Sequence, residues 1–203
     1  MKKNHILLVI CLMLVVSIAS IGGTIAWLTD STNEVVNTFS PTDISVTLEE
    51  TGTTLENGKE TKDFDVVPGV DITKDPKVSA SSDVPYYVFV QVIEEHWPTA
   101  KYVDEDGTEK LKVCYEIAAG WTPVDGTNNV YYIDVAEGSD LPETSVLKGN
   151  TVIVADTLTK EEMAGFATNK PSLTFKAYAI QKANGSGNFT PAEAWAIVSA
   201  PAA

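Results

Sequence analysis

The chain has very little cysteine and histidine and no arginine. Its 203 residues include two cysteines and two histidines, and all 14 basic residues are lysines. Cys11 lies in an apolar N-terminal run, so Cys114 is alone once that run is removed, and an intrachain disulfide is excluded. Stability must then come from a hydrophobic core. We expect Cys114 to be a half-buried, inert thiol, with an intermolecular disulfide as the alternative.

Positive charge is scarce as well. The chain has 14 lysines and 28 acidic residues, which gives a formal net charge of −14. Nucleic acids and anionic lipids are recognised by clusters of Lys and Arg, so the composition argues against both as partners. The negative charge is interpreted as keeping a secreted protein soluble, with weak binding of divalent cations or cationic polymers as the alternative.

Recognisable catalytic motifs are also missing. His96 is the single histidine outside the N-terminal run, whereas helical zinc proteases place two histidines one turn apart on the same ion. The sequence has no Gly-x-Ser-x-Gly elbow and no glycine-rich phosphate loop. Asp104, Asp106 and Gly107 resemble the start of a calcium loop but lack its later ligands, and so predict a hairpin turn. We therefore expect no enzyme, no catalytic residue, no cofactor and no metal site.

The most informative segment present is the N-terminus. Two lysines precede an almost uninterrupted apolar run over residues 6–21, and small residues follow. This is the order of a cleavable signal peptide, and the run is shorter than the ~20 residues of a membrane-spanning helix. We predict cleavage between Ala26 and Trp27, which gives a signal peptide over residues 1–26 and a single domain over 27–203. The protein would work outside the cytoplasm, with membrane contact only through the uncleaved signal.

Over most of the remaining sequence, apolar and polar residues alternate with a period of two, which indicates strands. Residues 86–93 are apolar and aromatic over a length that suits a strand buried on both faces. Thr159 and Thr190 begin capping boxes, which predict short helices. Many short strands with Gly, Pro and Asp turns favour an all-β fold, a single antiparallel β-sandwich with one or two short helices, preceded by the signal helix. The predicted strands cover residues 44–48, 86–93, 111–117, 130–135, 151–155 and 173–180.

Aromatic residues cluster on two of these strands. They are Tyr86, Tyr87, Phe89, Tyr131 and Tyr132. We interpret them as core and strand-pair packing, with a carbohydrate-binding groove as the alternative.

Seven stretches of the sequence share one resemblance. They are residues 22–30, 37–39, 44–50, 67–74, 84–90, 177–181 and 193–195. These stretches resemble a family of proteins of Gram-positive bacteria that are processed by the signal peptidase SipW, which includes the biofilm fibre protein TasA and the camelysin/CalY group. Phe89 departs from the family pattern, because many relatives carry arginine there.

This resemblance implies a jelly-roll arrangement, SipW as a partner during export, and a structural role at the cell surface or in the biofilm matrix. It also implies self-association or binding to related matrix proteins, with fibres as one outcome. Camelysin is described as a protease, so a camelysin-like surface metalloprotease is one alternative function. A non-enzymatic surface module that binds host matrix or polysaccharide is another.

Cleavage would free an apolar-rich end over residues 27–48. Such an end can complete the sheet edge of a neighbouring subunit through main-chain hydrogen bonds, with apolar side chains as anchors. Residues 27–42 are the possible free donor segment. The alternative is that this end pairs within its own domain. The candidate assembly strand carries Trp27, Leu28, Val35, Val36, Phe39, Ile44, Val46 and Leu48.

Overall fold

The computed structural model describes residues 44–56 and 59–200. The described residues belong to one compact unit. The described part is mostly β, with antiparallel sheets and two short helices, in agreement with the predicted class. The predicted signal peptide, the cleavage site at Ala26–Trp27 and the donor segment 27–42 lie outside the described residues.

Fourteen strands and two α-helices occur in the described part. The helices are α1 (Lys160–Thr168) and α2 (Pro191–Val198), and a short 3-10 helix covers Lys148–Asn150. The strands are β1 (Ser45–Glu49), β2 (Thr54–Glu56), β3 (Lys59–Thr61), β4 (Ile72–Thr73), β5 (Lys77–Ser81), β6 (Tyr86–Glu95), β7 (Lys101–Val103), β8 (Glu109–Leu111), β9 (Val113–Cys114), β10 (Thr122–Pro123), β11 (Val130–Val135), β12 (Leu141–Ser145), β13 (Thr151–Val154) and β14 (Ser172–Gln181).

The strands of the described part form three larger sheets and two hairpins. One sheet has four strands in the order β10-β11-β6-β14, and two have three strands, β1-β5-β12 and β4-β13-β9. The hairpins are β2-β3 and β7-β8. All pairings are antiparallel, and the longest joins β6 to β14 over ten residues of each strand.

The main core collects side chains from all three larger sheets. Val78 of β5, Val90 of β6 and Val152 of β13 are members with little or no exposed surface. Because side chains alternate across a strand, the next residues of β6 face the other way. Tyr87 and Phe89 contribute to a second cluster, with Ala194 and Trp195 of α2. The prediction that this strand is buried on both faces is therefore confirmed.

Both helices begin at the capping boxes that the sequence predicts. The Thr159 hydroxyl accepts a hydrogen bond from the Glu162 N–H, and the Glu162 carboxylate accepts one from the Thr159 N–H at 2.8 Å. Thr190 and Glu193 form the same reciprocal pair at the start of α2. These bonds lower the pKa of both glutamates, because backbone N–H groups stabilise the carboxylates.

The single strand predicted over residues 111–117 is wrong. The chain bends at Lys112, so that β8 pairs with β7 while β9 pairs with β13. The Lys112 N–H donates to the carbonyl of Ala100, and its carbonyl accepts from the N–H of Ala155, which divides the segment between two sheets. An alternating pattern reports which side chains are buried and does not identify the pairing partner.

Removing the hydroxyl of Tyr86 is expected to destabilise the fold. Tyr86 is fully buried, and its hydroxyl donates to the carbonyl of Ala80 at 2.9 Å and accepts from the N–H of Leu141 at 3.3 Å. Tyr86→Phe leaves both groups without this partner, and the free energy of unfolding should fall by about 1–3 kcal/mol. Urea denaturation measures the loss, with Tyr102→Phe as a matched control expected to change it by less than about 0.5 kcal/mol. Equal losses of unfolding free energy for Tyr86→Phe and Tyr102→Phe would contradict the role assigned to the Tyr86 hydroxyl.

Candidate functional site

A groove of about 1080 Å³ opens where three parts of the unit meet. Residues 48–50 at the end of β1 and residues 172–176 at the start of β14 both line it. Met163 and Phe166 of α1 also line it, and the core valine Val152 contributes from β13. The groove therefore lies against the main core, between two strands and a helix.

Two strand edges border this groove. β1 is hydrogen-bonded only to β5 and β14 only to β6, within the described part of the chain. The two strands lie next to each other although no ladder joins them. An unpaired edge presents a row of backbone N–H and C=O groups that can accept another strand.

A mostly buried ion pair lines the groove. Lys74 Nζ lies 2.8 Å from Glu50 Oε2, and the two side chains are 11% and 12% exposed. The ammonium also lies 5.3 Å from the ring centroids of both Phe64 and Phe175. Among the described residues, no hydrogen-bond donor reaches the other carboxylate oxygen, Glu50 Oε1, although that atom is buried. The pair thus retains an unused acceptor in a largely apolar setting.

Helix α1 is fixed beside the groove by Lys112. The ammonium donates to the carbonyl of Thr157 at 2.8 Å and to both carboxylate oxygens of Glu162 at 3.0 Å. This ion pair also contributes to the lowered pKa of Glu162. Lys112 thereby joins the bend between β8 and β9 to the first turn of α1.

Three members of the candidate assembly strand lie in or beside β1. Ile44, Val46 and Leu48 are partly buried and pack against the main core. β1 pairs with β5 of the same unit, from Ser45 opposite Ser81 to Glu49 opposite Lys77. The other five members, Trp27, Leu28, Val35, Val36 and Phe39, lie outside the described residues.

The sequence reasoning missed the ion pair and its aromatic neighbours. Glu50 and Lys74 are 24 positions apart, and neither belongs to a motif that would single it out. A charged residue in an acidic chain is usually on the surface, so burial at these positions had no local signal. Only the fold brings them together with Phe64 and Phe175.

Cys114 lies in a separate pocket of about 250 Å³. Its side chain is half-buried, and burial raises the pKa of the thiol, with the nearby carboxylate of Glu116 adding to the shift. The Tyr115 hydroxyl of the same pocket donates to Glu94 Oε1 at 2.7 Å. A thiol held protonated is a poor nucleophile, and the prediction of a half-buried thiol is confirmed.

The residues weighed for metal binding are dispersed. His96 is exposed beyond the end of β6. The Asp104 carboxylate accepts from the backbone N–H groups of Asp106 and Thr108 and pairs with Lys110, so the predicted hairpin turn is confirmed. Within residues 44–56 and 59–200, no three His, Cys, Asp or Glu side chains lie close enough to hold a metal ion.

The aromatic residues of β6 and β11 are packed. Tyr86, Tyr87 and Phe89 are buried, and Tyr131 and Tyr132 are half-buried. Tyr132 lies edge-on to Tyr87, with 5.8 Å between the ring centroids. The packing interpretation is therefore confirmed.

No family model, no curated protein and no solved structure matches this chain. None of the helices in the described residues is both long and apolar enough to span a membrane.

Proposed function

We propose that the chain is a secreted structural protein of the cell surface or biofilm matrix, released by SipW-type cleavage between Ala26 and Trp27. It assembles with copies of itself or with related matrix proteins when residues 27–42 of one subunit add a strand to the next. The resemblance of residues 22–30 supports the processing step. The unit itself is proposed to be a jelly-roll β-sandwich, which its antiparallel sheets around a shared core support.

The observation that carries strand donation is the groove beside the edges of β1 and β14, which pair with no other strand in the described part of the chain. Main-chain hydrogen bonds to an edge supply affinity, and side chains that enter a neighbouring groove supply specificity. Of the two edges, β14 suits the role better, because it offers ten residues against five in β1. The half of β14 that lines the groove runs from Ser172 to Lys176.

Charge supports the same pairing. Lys170 and Lys176 line the groove and make no ion pair with any described residue. Residues 27–42 carry two carboxylates, Asp30 and Glu34, and no cation. The lining also carries the carboxylates of Glu49, Glu50, Asp63 and Asp65, so the attraction for an acidic strand is local to Lys170 and Lys176.

Removing the donor segment is expected to abolish self-association. Size-exclusion chromatography with light scattering should show a mass that rises with concentration for residues 27–203 and a constant monomer mass for residues 43–203. The truncated chain keeps the whole described core, so it should remain folded, which circular dichroism checks.

Three results would count against this function. Monomers for both chains at high concentration would overturn strand donation. A monomeric long chain, together with a truncated chain that binds a peptide of residues 27–42, would mean that the segment closes its own sheet. Zinc bound at one equivalent in the same samples, with chelator-sensitive casein hydrolysis, would instead favour a surface metalloprotease.

A further inference from the structure

We infer that the small pocket beside Cys114, of about 250 Å³, binds a primary ammonium group. The carboxylate of Glu94 and the aromatic rings around it hold this cation, which belongs either to a lysine side chain of another chain or to a free amine. The inference goes beyond the proposed function and does not depend on it, because Glu94 lines this pocket and not the groove.

Glu94 is the last member of a row of side chains on one face of β6. The strand keeps a regular register with β14 as far as Glu95, so alternation places Glu94 on the same face as the core residues before it. Those residues are buried, whereas Glu94 is exposed and lines the pocket. The core row thus ends in a carboxylate that solvent reaches. The buried members of the row are Tyr86, Val88, Val90 and Val92.

This carboxylate has no cationic partner among the described residues. The seven ion pairs of the described part all involve other acidic side chains. Glu94 Oε1 accepts a hydrogen bond from the Tyr115 hydroxyl at 2.7 Å, and no described group donates to Oε2. The contact with Tyr115 holds the carboxylate beside the pocket and leaves its second oxygen for a ligand.

Three aromatic residues line the pocket with Glu94. Trp97 lies edge-on to Tyr115, with 5.7 Å between the ring centroids, and Tyr131 contributes from β11. Burial is the main cause of the raised pKa of both tyrosines, and Glu94 raises the pKa of both further, so the carboxylate lies near both rings. Aromatic faces attract a cation, and an ammonium at this carboxylate gains from both kinds of group.

The polar groups of the pocket favour a cation that carries N–H donors. Asn129 also lines the pocket, and its carbonyl accepts from the N–H of Val92 at 2.8 Å, which fixes this residue at a φ of 56°. A carboxamide oxygen is a second acceptor besides Glu94 Oε2. A primary ammonium has three N–H groups and can donate to both acceptors, whereas a quaternary ammonium has none. The net charge of −14 attracts cations in general.

A titration followed by nuclear magnetic resonance tests the inference. Residues 27–203 are used at a concentration at which light scattering gives a monomer mass, and n-butylammonium chloride is added at constant ionic strength. The indole N–H signal of Trp97, identified with Trp97→Phe, should shift and saturate with a Kd of about 1–10 mM. Butan-1-ol, which has the same alkyl chain without the charge, should shift this signal by less than about a fifth as much.

Two variants locate the bound cation. Glu94→Gln keeps an acceptor for the Tyr115 hydroxyl and removes the charge, so the affinity for n-butylammonium should fall by about tenfold. Glu137→Gln removes an exposed carboxylate outside the pocket and should change the affinity by less than about twofold. Trp97 also lines the groove, so an unchanged affinity in Glu94→Gln would place the cation there and overturn the inference. An unshifted Trp97 signal, or an equal response to butan-1-ol, would overturn it as well.

Further probes distinguish the sources of the ammonium. N-acetyl-lysine methylamide carries the side chain of a protein lysine, and 1,4-diaminobutane is a free amine. Binding of the lysine derivative at least as tightly as the diamine assigns the pocket to a lysine of another chain, and weaker binding assigns it to a free amine. Both results support an ammonium site. Tetramethylammonium that binds as tightly as n-butylammonium would overturn the assignment of a primary ammonium, because it donates no hydrogen bond.

Discussion

Replacing Phe89 with alanine is expected to lower the free energy of unfolding by about 3–5 kcal/mol. Phe89 has no exposed surface, and its ring centroid lies 5.7 Å from that of Trp195 in α2 and 6.2 Å from that of Tyr132 in β11. The residue also pairs with Tyr178 across the β6-β14 ladder. Truncation at the centre of this cluster removes contacts with two strands and a helix, and leaves a cavity that neighbouring rings fill only in part.

Urea denaturation followed by circular dichroism measures this effect. Ile197→Ala serves as the control, because Ile197 lies in the same helix α2 but is 49% exposed. The control should change the free energy of unfolding by less than about 0.5 kcal/mol. A loss below about 1 kcal/mol for Phe89→Ala would mean that α2 and the second cluster contribute little to stability.

Phe89 departs from the pattern of the family that the chain resembles, in which many members carry arginine. In this chain the position is fully buried beneath Trp195. Burying an arginine without a charged partner costs folding free energy. A phenylalanine at this position instead packs within the closed aromatic cluster.

Local signals were sufficient for much of the fold. The capping boxes at Thr159 and Thr190 predicted both described helices, because a cap is a contact between residues three positions apart. The alternating or continuous apolar runs predicted β1, β6, β11, β13 and β14 to within two residues at either end. The pairing order of the strands had no such signal, since it depends on contacts between distant segments.

The candidate site also depends on contacts between distant segments, and less of it could be predicted from the sequence. The groove requires β1 to meet α1 and β14, and β1 lies far from those two elements along the chain. Alternation predicted Leu48 as part of a half-buried strand, and Leu48 does line the groove. Glu50 and Lys74 were not predicted at all, because a buried ion pair has no sequence pattern that distinguishes it from surface charge.

Replacing Lys74 alone with methionine is expected to lower the free energy of unfolding by about 3–5 kcal/mol, because it leaves the carboxylate of Glu50 buried without its partner. Both side chains of the pair are close to nine-tenths buried. Lys148→Met is the matched control, since the Lys148–Glu116 pair is 68% and 57% exposed. That control should change the free energy of unfolding by less than about 1 kcal/mol.

The double variant Glu50→Leu/Lys74→Met tests whether the stability of the fold depends on this ion pair. Replacing a buried ion pair by apolar residues of similar volume is often neutral or stabilising by about 1–4 kcal/mol, so the double variant should be at least as stable as the native protein in urea. Phe64 and Phe175 already surround the ammonium with apolar surface. If the double variant is stable, then the fold does not require the ion pair. A double variant as unstable as Lys74→Met would instead make the pair a structural contact between the end of β1 and the end of β4.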